Sequence, residues 1–345
     1  MRALVNPALD LAAVPAPSGE ARSYHATLPG YRPTPAHDLP GVAAELGLAA
    51  VTLKDESDRL GLPAFKVLGA TWAVERALRE RPDTRALVAA SAGNHGRAVA
   101  HVAALRGLEC RIYLPARAAP ARAEAIAAEG ADVVVTEGTY EQAVERATAE
   151  GEEPGVLTMA DVGRSGPAGW VVDGYQTLFA EARGQAEFDV LLVPVGAGSL
   201  AAAAARFGAH AGVGVIGVEP ETAACLTASL AAGRPTAVEN PGTTMAGLDC
   251  AEISQTAWPS LRDGIHGTVT VADPEVHAAM RELAGLGLRI GDCGASTLAA
   301  LRTLLTEDGA GLRAAVDLGS SSRVLLVASE GVTDPAGYAR TLAAG

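Results

Sequence analysis

The chain has 345 residues, 49% of them hydrophobic, and its 27 Lys and Arg against 40 Asp and Glu give a formal net charge of -13. No apolar run is long enough to span a bilayer, no basic cluster could neutralise a nucleic-acid backbone, and residues 1–17 lack the pattern of a secretory signal. We therefore predict a cytoplasmic protein that has neither a membrane nor a nucleic acid as its partner.

Short β-branched runs alternate with alanine-rich segments from about Arg85 onward. Four such runs, each separated from the next by one helix-length segment, are predicted strands: residues 85–90, 109–114, 132–136 and 156–159. This alternation is typical of a parallel sheet built from βαβ units. A segment rich in glycine and proline follows, from Pro154 to Gly169, before a helical pattern resumes over residues 173–184.

We place a domain hinge at this interruption. It divides the chain into a small α/β domain, residues 71–175, and a larger domain made of residues 1–70 and 176–345. In the second half we predict strands at residues 188–194, 213–219 and 324–329, helices at 200–207, 273–286 and 295–305, and an ordered loop at 240–258. The predicted fold class is α/β, with two lobes of open parallel sheets flanked by helices and ligands bound where loops leave the strands.

Lys66 is the first candidate for chemistry. It is a single lysine among apolar and small residues, at the start of a helical pattern. Burial without an anion lowers the pKa of a lysine, which is what a Schiff-base nucleophile requires. The alternative is an amphipathic lysine whose ammonium group reaches solvent.

Two loops follow predicted strands and open predicted helices. The first is Ser91-Ala92-Gly93-Asn94-His95-Gly96, where Asn94 could face a ligand, and the second is Gly196-Ala197-Gly198-Ser199. Free amides at the start of a helix favour a phosphate, although ordinary turns remain an alternative for both loops. The second loop lacks the third glycine of a dinucleotide-binding fingerprint, because position 201 is alanine. The four cysteines and seven histidines show no zinc-site or dithiol spacing.

The three motifs follow one another along the chain in the order lysine, Asn-His-Gly loop and glycine-rich loop. In this order the chain resembles the tryptophan synthase β-type pyridoxal 5′-phosphate enzymes, also called fold type II. Further segments resemble diaminopropionate ammonia-lyase in particular, and the resemblance runs collinearly from about Tyr24 to Asp334. The matching segments are Leu28-Pro29-Gly30-Tyr31, Lys54-Asp55-Glu56-Ser57, Ala64-Phe65-Lys66, Gly93-Asn94-His95-Gly96-Arg97, Thr244-Met245-Ala246-Gly247-Leu248 and Glu330-Gly331.

The resemblance implies a role for each matched residue. Lys66 would form the Schiff base with the cofactor, Asn94 would hydrogen-bond the cofactor's 3′-oxygen, and Ser329 would face its pyridine nitrogen. The phosphate would lie on Gly196, Ala197, Gly198 and Ser199. Asp161 matches a family carboxylate that removes the Cα proton, and the family also implies a homodimer. For Ser329 the alternative is a hydroxyl that caps its own backbone, and for Asp161 it is a solvated loop residue.

The chain also departs from the ammonia-lyase pattern. Ala92 stands where the family has an aspartate before Gly-Asn-His-Gly, and residues 162–166 and 291–295 differ as well. We therefore expect proton abstraction from the L face, by Asp161 or Lys66, and do not expect activity on D substrates.

The predicted reaction is α,β-elimination from a β-substituted L-amino acid, with L-2,3-diaminopropionate as the leading substrate and pyruvate and ammonia as products. A serine or threonine dehydratase, or a β-replacement synthase making a non-standard amino acid, is the alternative. A regulatory module that binds the cofactor without turnover is a third hypothesis, and a nicotinamide-dependent oxidoreductase a fourth.

Overall fold

The computed structural model describes residues 2–116, 120–160 and 166–344. Within them the strands are β1 (Ala3–Val5), β2 (Ala36–Asp38), β3 (Ala50–Asp55), β4 (Ala86–Ala90), β5 (Glu109–Leu114), β6 (Asp132–Val135), β7 (Val156–Thr158), β8 (Val190–Pro194), β9 (Gly214–Pro220), β10 (Gly267–Val271) and β11 (Arg323–Ala328).

The helices of the same residues are α1 (Glu20–His25), α2 (Pro40–Leu46), α3 (Lys66–Glu80), α4 (Asn94–Arg106), α5 (Pro120–Ala127), α6 (Tyr140–Glu150), α7 (Pro167–Gln185), α8 (Ser199–Ala211), α9 (Cys225–Ala232), α10 (Trp258–Gly264), α11 (Asp273–Gly285), α12 (Asp292–Leu304), α13 (Ala310–Ala315) and α14 (Pro335–Ala343). None of these helices combines the length and the hydropathy needed to cross a bilayer.

Two sheets organise the chain. The larger has the strand order β1-β10-β9-β8-β11-β3-β2, and the smaller has the order β6-β5-β4-β7. All pairs of the small sheet are parallel, whereas the large sheet ends in an antiparallel strand at each edge, β1 against β10 and β2 against β3. The predicted α/β class with two open sheets is confirmed, and the two antiparallel edges are an addition to the predicted parallel arrangement.

The central strand β8 explains how the large sheet is buried on both faces. Its five residues are all buried, as expected for a parallel strand covered by helices on both sides. Successive side chains point to opposite faces, so Leu191 and Val193 pack into one hydrophobic core while Val190 and Leu192 pack into the other. The alanine-rich helix α8 lies against the first of these faces, because its small side chains allow a close approach to the strand.

Helix α7 begins six residues earlier than predicted. Gly166 and Pro167 suggested a chain break, but Pro167 occupies the first turn of the helix, where its missing N–H is not needed. The N-terminal strands β1, β2 and β3 were not predicted at all. β1 and β2 have three residues each, too few for a repeat of two to be recognised, and β3 carries the polar residues Thr52 and Lys54 at buried positions.

Helices α3 and α7 connect the two sheets and pack closely on each other. A Cβ atom placed on Gly174 would lie 2.7 Å from the Leu68 carbonyl oxygen and 2.8 Å from the Gly69 Cα, so the two backbones approach directly. The strands of the small sheet lie between residues 86 and 158, inside the range 71–175. The boundaries at 70/71 and 175/176 fall within α3 and α7.

Four charged side chains form a buried ion cluster. Three of them precede Lys66 in the chain and the fourth lies on α7: Lys54, Glu56, Arg59 and Glu181. Arg59 donates to both carboxylates, at 2.7 Å to Glu56 Oε1 and 2.7 Å to Glu181 Oε2, and Lys54 Nζ lies 2.9 Å from Glu181 Oε2. Burial alone would raise the pKa of Glu181, but hydrogen bonds and charge from Arg59, with Lys54, hold it below its ordinary value. The cluster joins β3 and the segment leading into α3 to helix α7.

Candidate active site

Lys66, Asn94, the glycine-rich loop and Ser329 line one cavity, which we call the central cavity. Although these residues are far apart in the chain, the structure brings all of them to the ends of β8 and β11 and the starts of α3, α4 and α8. The lining residues are Phe65, Lys66, Asn94, Pro194, Gly196, Ala197, Gly198, Ser199, Leu200, Gly247, Leu248, Cys293, Ser329 and Glu330.

Lys66 is the first residue of α3 and is partly buried. Its Nζ lies 5.5 Å from the centre of the Phe65 ring. The Phe65 N–H donates to the carbonyl oxygen of Ser329 at 3.2 Å, so the start of α3 is tied to the end of β11. Lys66 therefore begins its helix from a backbone position fixed by this contact, and it lines the central cavity instead of lying on the outer surface.

The glycine-rich loop has the geometry of an anion cradle. It joins β8 to the thirteen-residue helix α8, and Gly198 at the N-cap has a φ of +95°. In the part of the chain described here, the amides of Ala197, Gly198 and Leu200 donate to no protein group. Free amides and the positive end of a helix dipole favour a phosphate.

Both glycines of this loop are required by their surroundings. A Cβ on Gly196 would lie 2.6 Å from the Gly247 carbonyl oxygen, and a Cβ on Gly198 would lie 2.6 Å from the Leu261 Cδ1. A side chain at Gly196 would push the loop away from the Gly247 backbone, and one at Gly198 would have to adopt a left-handed conformation, so either change would alter the direction of the loop amides.

We expect Gly198→Ala to weaken cofactor binding about tenfold or more, equivalent to about 1.4 kcal/mol. Titration of the apoprotein with the cofactor, followed by absorbance, measures this. Gly212→Ala is the matched control, because Gly212 ends the same helix with a φ of +64° and open space around it. Both variants carry a backbone strain of about 1–2 kcal/mol, but only the first should lose cofactor affinity. Equal affinities in the two variants would contradict the phosphate assignment.

Asn94 begins α4, immediately after the extended residue Gly93. Its Nδ2 donates to Glu330 Oε2 at 2.5 Å, which joins the small lobe to the end of β11. Burial raises the pKa of Glu330, although hydrogen bonds from Cys293 and Asn94 act against this rise. The Cys293 thiol is itself buried, and its pKa is raised well above the ordinary value by burial and by Glu330.

Two further residues were predicted to belong to the site, Ser329 and Asp161. Ser329 follows β11, is 3% exposed and lines the central cavity. Asp161 lies in the segment 161–165, outside the described residues.

Sequence reasoning did not select Glu330 and Cys293 as site residues. Glu330 was noticed only as part of a matching Glu-Gly pair, and Cys293 only as a departure from a pattern. An acidic residue directly after a predicted strand that ends at the ligand edge is the signal that could have identified Glu330.

The central cavity continues into an outer cleft of about 240 Å³, with which it shares Asn94, Gly247 and Glu330. Arg97 and Arg122 also line this cleft. A larger groove of about 1010 Å³ lies between α1, α3 and α4, and none of the predicted site residues that the structure describes lines it. Size alone therefore does not identify the site.

Comparison with known proteins agrees with this geometry. A sequence profile described as "Pyridoxal-phosphate dependent enzyme" matches residues 27–330. The diaminopropionate ammonia-lyase of Salmonella typhimurium is 31% identical to this chain, over 92% of the chain and 89% of that protein.

Solved structures give the same result. The diaminopropionate ammonia lyase of Escherichia coli, in complex with an aminoacrylate-PLP azomethine reaction intermediate, superposes with a TM-score of 0.90 at 28% identity, covering 99% of this chain and 96% of that one. A threonine deaminase from T.th. superposes with a TM-score of 0.77 at 28% identity, covering 92% of this chain and 99% of that one.

Proposed function

Since the chain belongs to the pyridoxal-phosphate dependent enzymes, and within them to the diaminopropionate ammonia-lyase family, we propose that it eliminates ammonia from L-2,3-diaminopropionate, with pyruvate and ammonia as final products. The observation that carries this proposal is that one cavity is lined by an amine, a glycine-rich loop and a buried carboxyl: Lys66, residues 196–199 and Glu330.

The cofactor is pyridoxal phosphate, and the residues of the central cavity fit it. The amides of Ala197, Gly198 and Leu200, which donate to no protein group among the described residues, suit its phosphate. Lys66 would hold its aldehyde carbon, Asn94 its 3′-oxygen and Ser329 its ring nitrogen. When bound, pyridoxal phosphate links covalently to an amine and withdraws electrons from the adjacent Cα.

The chain's own groups would supply the proton chemistry. We propose that Asp161 or the freed amine of Lys66 removes the Cα proton from the L face. Ala92 offers no carboxylate on the other face, which supports a preference for L substrates. Ser329 is a neutral hydroxyl, and as the partner of the ring nitrogen it would leave that nitrogen largely unprotonated.

The test is pyruvate release from a panel of amino acids by the purified, cofactor-loaded enzyme. We expect L-2,3-diaminopropionate to give the highest kcat/KM, with L-serine and the D isomer at least about tenfold lower, a difference of about 1.4 kcal/mol in transition-state binding. A higher value with L-serine or L-threonine would replace the proposed substrate, and absence of pyruvate from every substrate would exclude elimination.

A dehydratase acting on L-serine or L-threonine, or a β-replacement synthase, is the second candidate. The observation that favours it is Cys293, which lines the central cavity at a position where the sequence departs from the ammonia-lyase pattern. Adding a nucleophile to the same assay separates replacement from elimination, because replacement consumes the substrate without releasing pyruvate.

We also propose a cytoplasmic homodimer. Among the residues that the structure describes, no disulfide bond joins any two cysteines, which supports a reducing compartment. The dimer is supported by the family resemblance.

A further inference from the structure

Glu330 is a buried acid that lies just after β11. Its side chain is 6% exposed, and in the described ranges no lysine, arginine or histidine forms an ion pair with it. Its partners there are neutral donors, the Asn94 amide and the Cys293 thiol, while Asp292 is a nearby acid that disfavours a second negative charge. A buried carboxylate with this environment is costly unless a cation reaches it.

The position of Glu330 allows a ligand to bring that cation. The side chain lines the central cavity together with Lys66, and it also lines the outer cleft through which the cavity continues. The arginines of the cleft, Arg97 and Arg122, do not pair with it; Arg97 is instead bonded to Glu129 on its own lobe. The carboxyl thus lines both the cavity that holds Lys66 and the cleft through which a substrate would reach that amine.

This inference rests on the proposed function, in which the substrate carries a second amine at Cβ. A carbon–nitrogen bond breaks readily only when the nitrogen is protonated, because the bonding pair then stays on a neutral leaving molecule. A carboxylate beside that nitrogen keeps it protonated and is most effective in a water-poor site.

We propose that Glu330 binds the β-ammonium group of the substrate and thereby selects amino acids whose leaving group is a cationic amine. When the Cβ–N bond breaks, its electron pair goes to the nitrogen, which leaves as neutral ammonia with its three hydrogens. The electron pair released at Cα by the departing proton forms the new Cα–Cβ double bond, and that proton stays on the base. No further proton donor is needed.

The first test compares two leaving groups in Glu330→Gln. The variant keeps the size and an acceptor oxygen for Asn94 but removes the charge. We expect kcat/KM with L-2,3-diaminopropionate to fall on the order of 100-fold, and kcat/KM with β-chloro-L-alanine to fall less than about tenfold, since chloride departs as an anion and gains nothing from a carboxylate. Glu307→Gln, an exposed position with the same change of charge, is the control.

The second test does not depend on turnover. In the cofactor-loaded Lys66→Ala background, calorimetry measures the Kd of L-2,3-diaminopropionate against that of L-alanine, which lacks the second amine. We expect the diamine to bind more tightly, and Glu330→Gln to remove at least about tenfold of that preference. The cofactor's absorption spectrum should be the same with and without the Glu330 change.

The outcomes separate this inference from the proposed function. Equal losses on both substrates, or an altered cofactor spectrum, would mean that Glu330 only positions Asn94 or the cofactor, and would overturn the inference while the proposed function stands. A wild-type enzyme that eliminates chloride but not ammonia would refute the proposed substrate, and the binding comparison would then decide the role of Glu330 by itself. If Glu330→Gln does not fold, Glu330→Asp retains the charge and should keep the preference for the diamine.

Discussion

Replacing Lys66 by alanine should abolish turnover, with kcat/KM falling on the order of 1,000-fold or more. The amine lines the central cavity beside the glycine-rich loop, and in the cofactor-dependent chemistry proposed here it is the group that bonds to the cofactor and returns to release the product. The same variant should lose the near-visible absorption of the lysine-linked cofactor. Steady-state kinetics and the absorbance spectrum of the purified protein check both results.

Lys66→Arg is the matched control for charge. It keeps a cation at the start of α3 but cannot form the covalent link, so it should be as inactive as the alanine variant. Circular dichroism and thermal melting should show that both variants are folded. A variant without the lysine that remained coloured and active would disprove the assignment.

Replacing Arg59 by methionine should lower the free energy of unfolding by about 3–5 kcal/mol, because it leaves buried carboxylates without their main cation. The change leaves the Glu56 and Glu181 carboxylates buried with Lys54 as the remaining cation of the cluster. Urea denaturation at neutral pH measures the free energy of unfolding.

Arg302→Met provides the comparison. Arg302 bridges Glu45 and Glu282, but its side chain is 34% exposed, so the same substitution there should cost only about 0–1 kcal/mol. Similar losses in the two variants would show that burial does not set the strength of the Arg59 cluster.

The pH dependence of stability gives an independent check on this cluster. The pKa of Glu181 lies below its ordinary value of 4.5 in the folded protein, so its ionisation stabilises the fold above about pH 4.5, and this contribution is lost as the pH falls through the lower folded value. In Arg59→Met the penalty should therefore become smaller in acid, because protonated carboxyls no longer need a cation. Denaturation curves at pH 7 and pH 4 measure the difference, and a penalty that grows in acid would contradict the proposed origin.

Local signals in the sequence were sufficient for the strands of the small sheet and for β8, β9 and β11. Each contains a β-branched or apolar run of three to seven residues, and each was predicted to within two residues of its observed bounds. The edge strands β1 and β2 were missed because their own sequences carry no strand pattern, and it is pairing with a neighbouring strand that makes them extended. β1 is held by β10, more than 250 residues later in the chain.

The same distinction applies to the site. Lys66, Asn94 and the glycine-rich loop were found because they stand in recognisable motifs next to strands and helix starts. Glu330 was not found in this way. The features that distinguish it are a hydrogen bond to Asn94, 236 residues away in the chain, and the lack of an ion pair with any described cation, and neither is visible in a local sequence pattern. Similarly, the ion cluster around Arg59 joins two distant parts of the chain, residues 54–59 and Glu181, and no local sequence pattern predicts that Lys54 and Glu181 are in contact.

The short strand β1 protects the large sheet against pairing with other molecules. All five residues of β10 are buried, and the three backbone pairs with Ala3, Leu4 and Val5 occupy the edge that β10 would otherwise present. An uncovered edge of this kind is a template on which another chain can add a strand. A fusion or truncation that displaced the first few residues would leave the lining of the central cavity in place and would instead make the protein prone to aggregate.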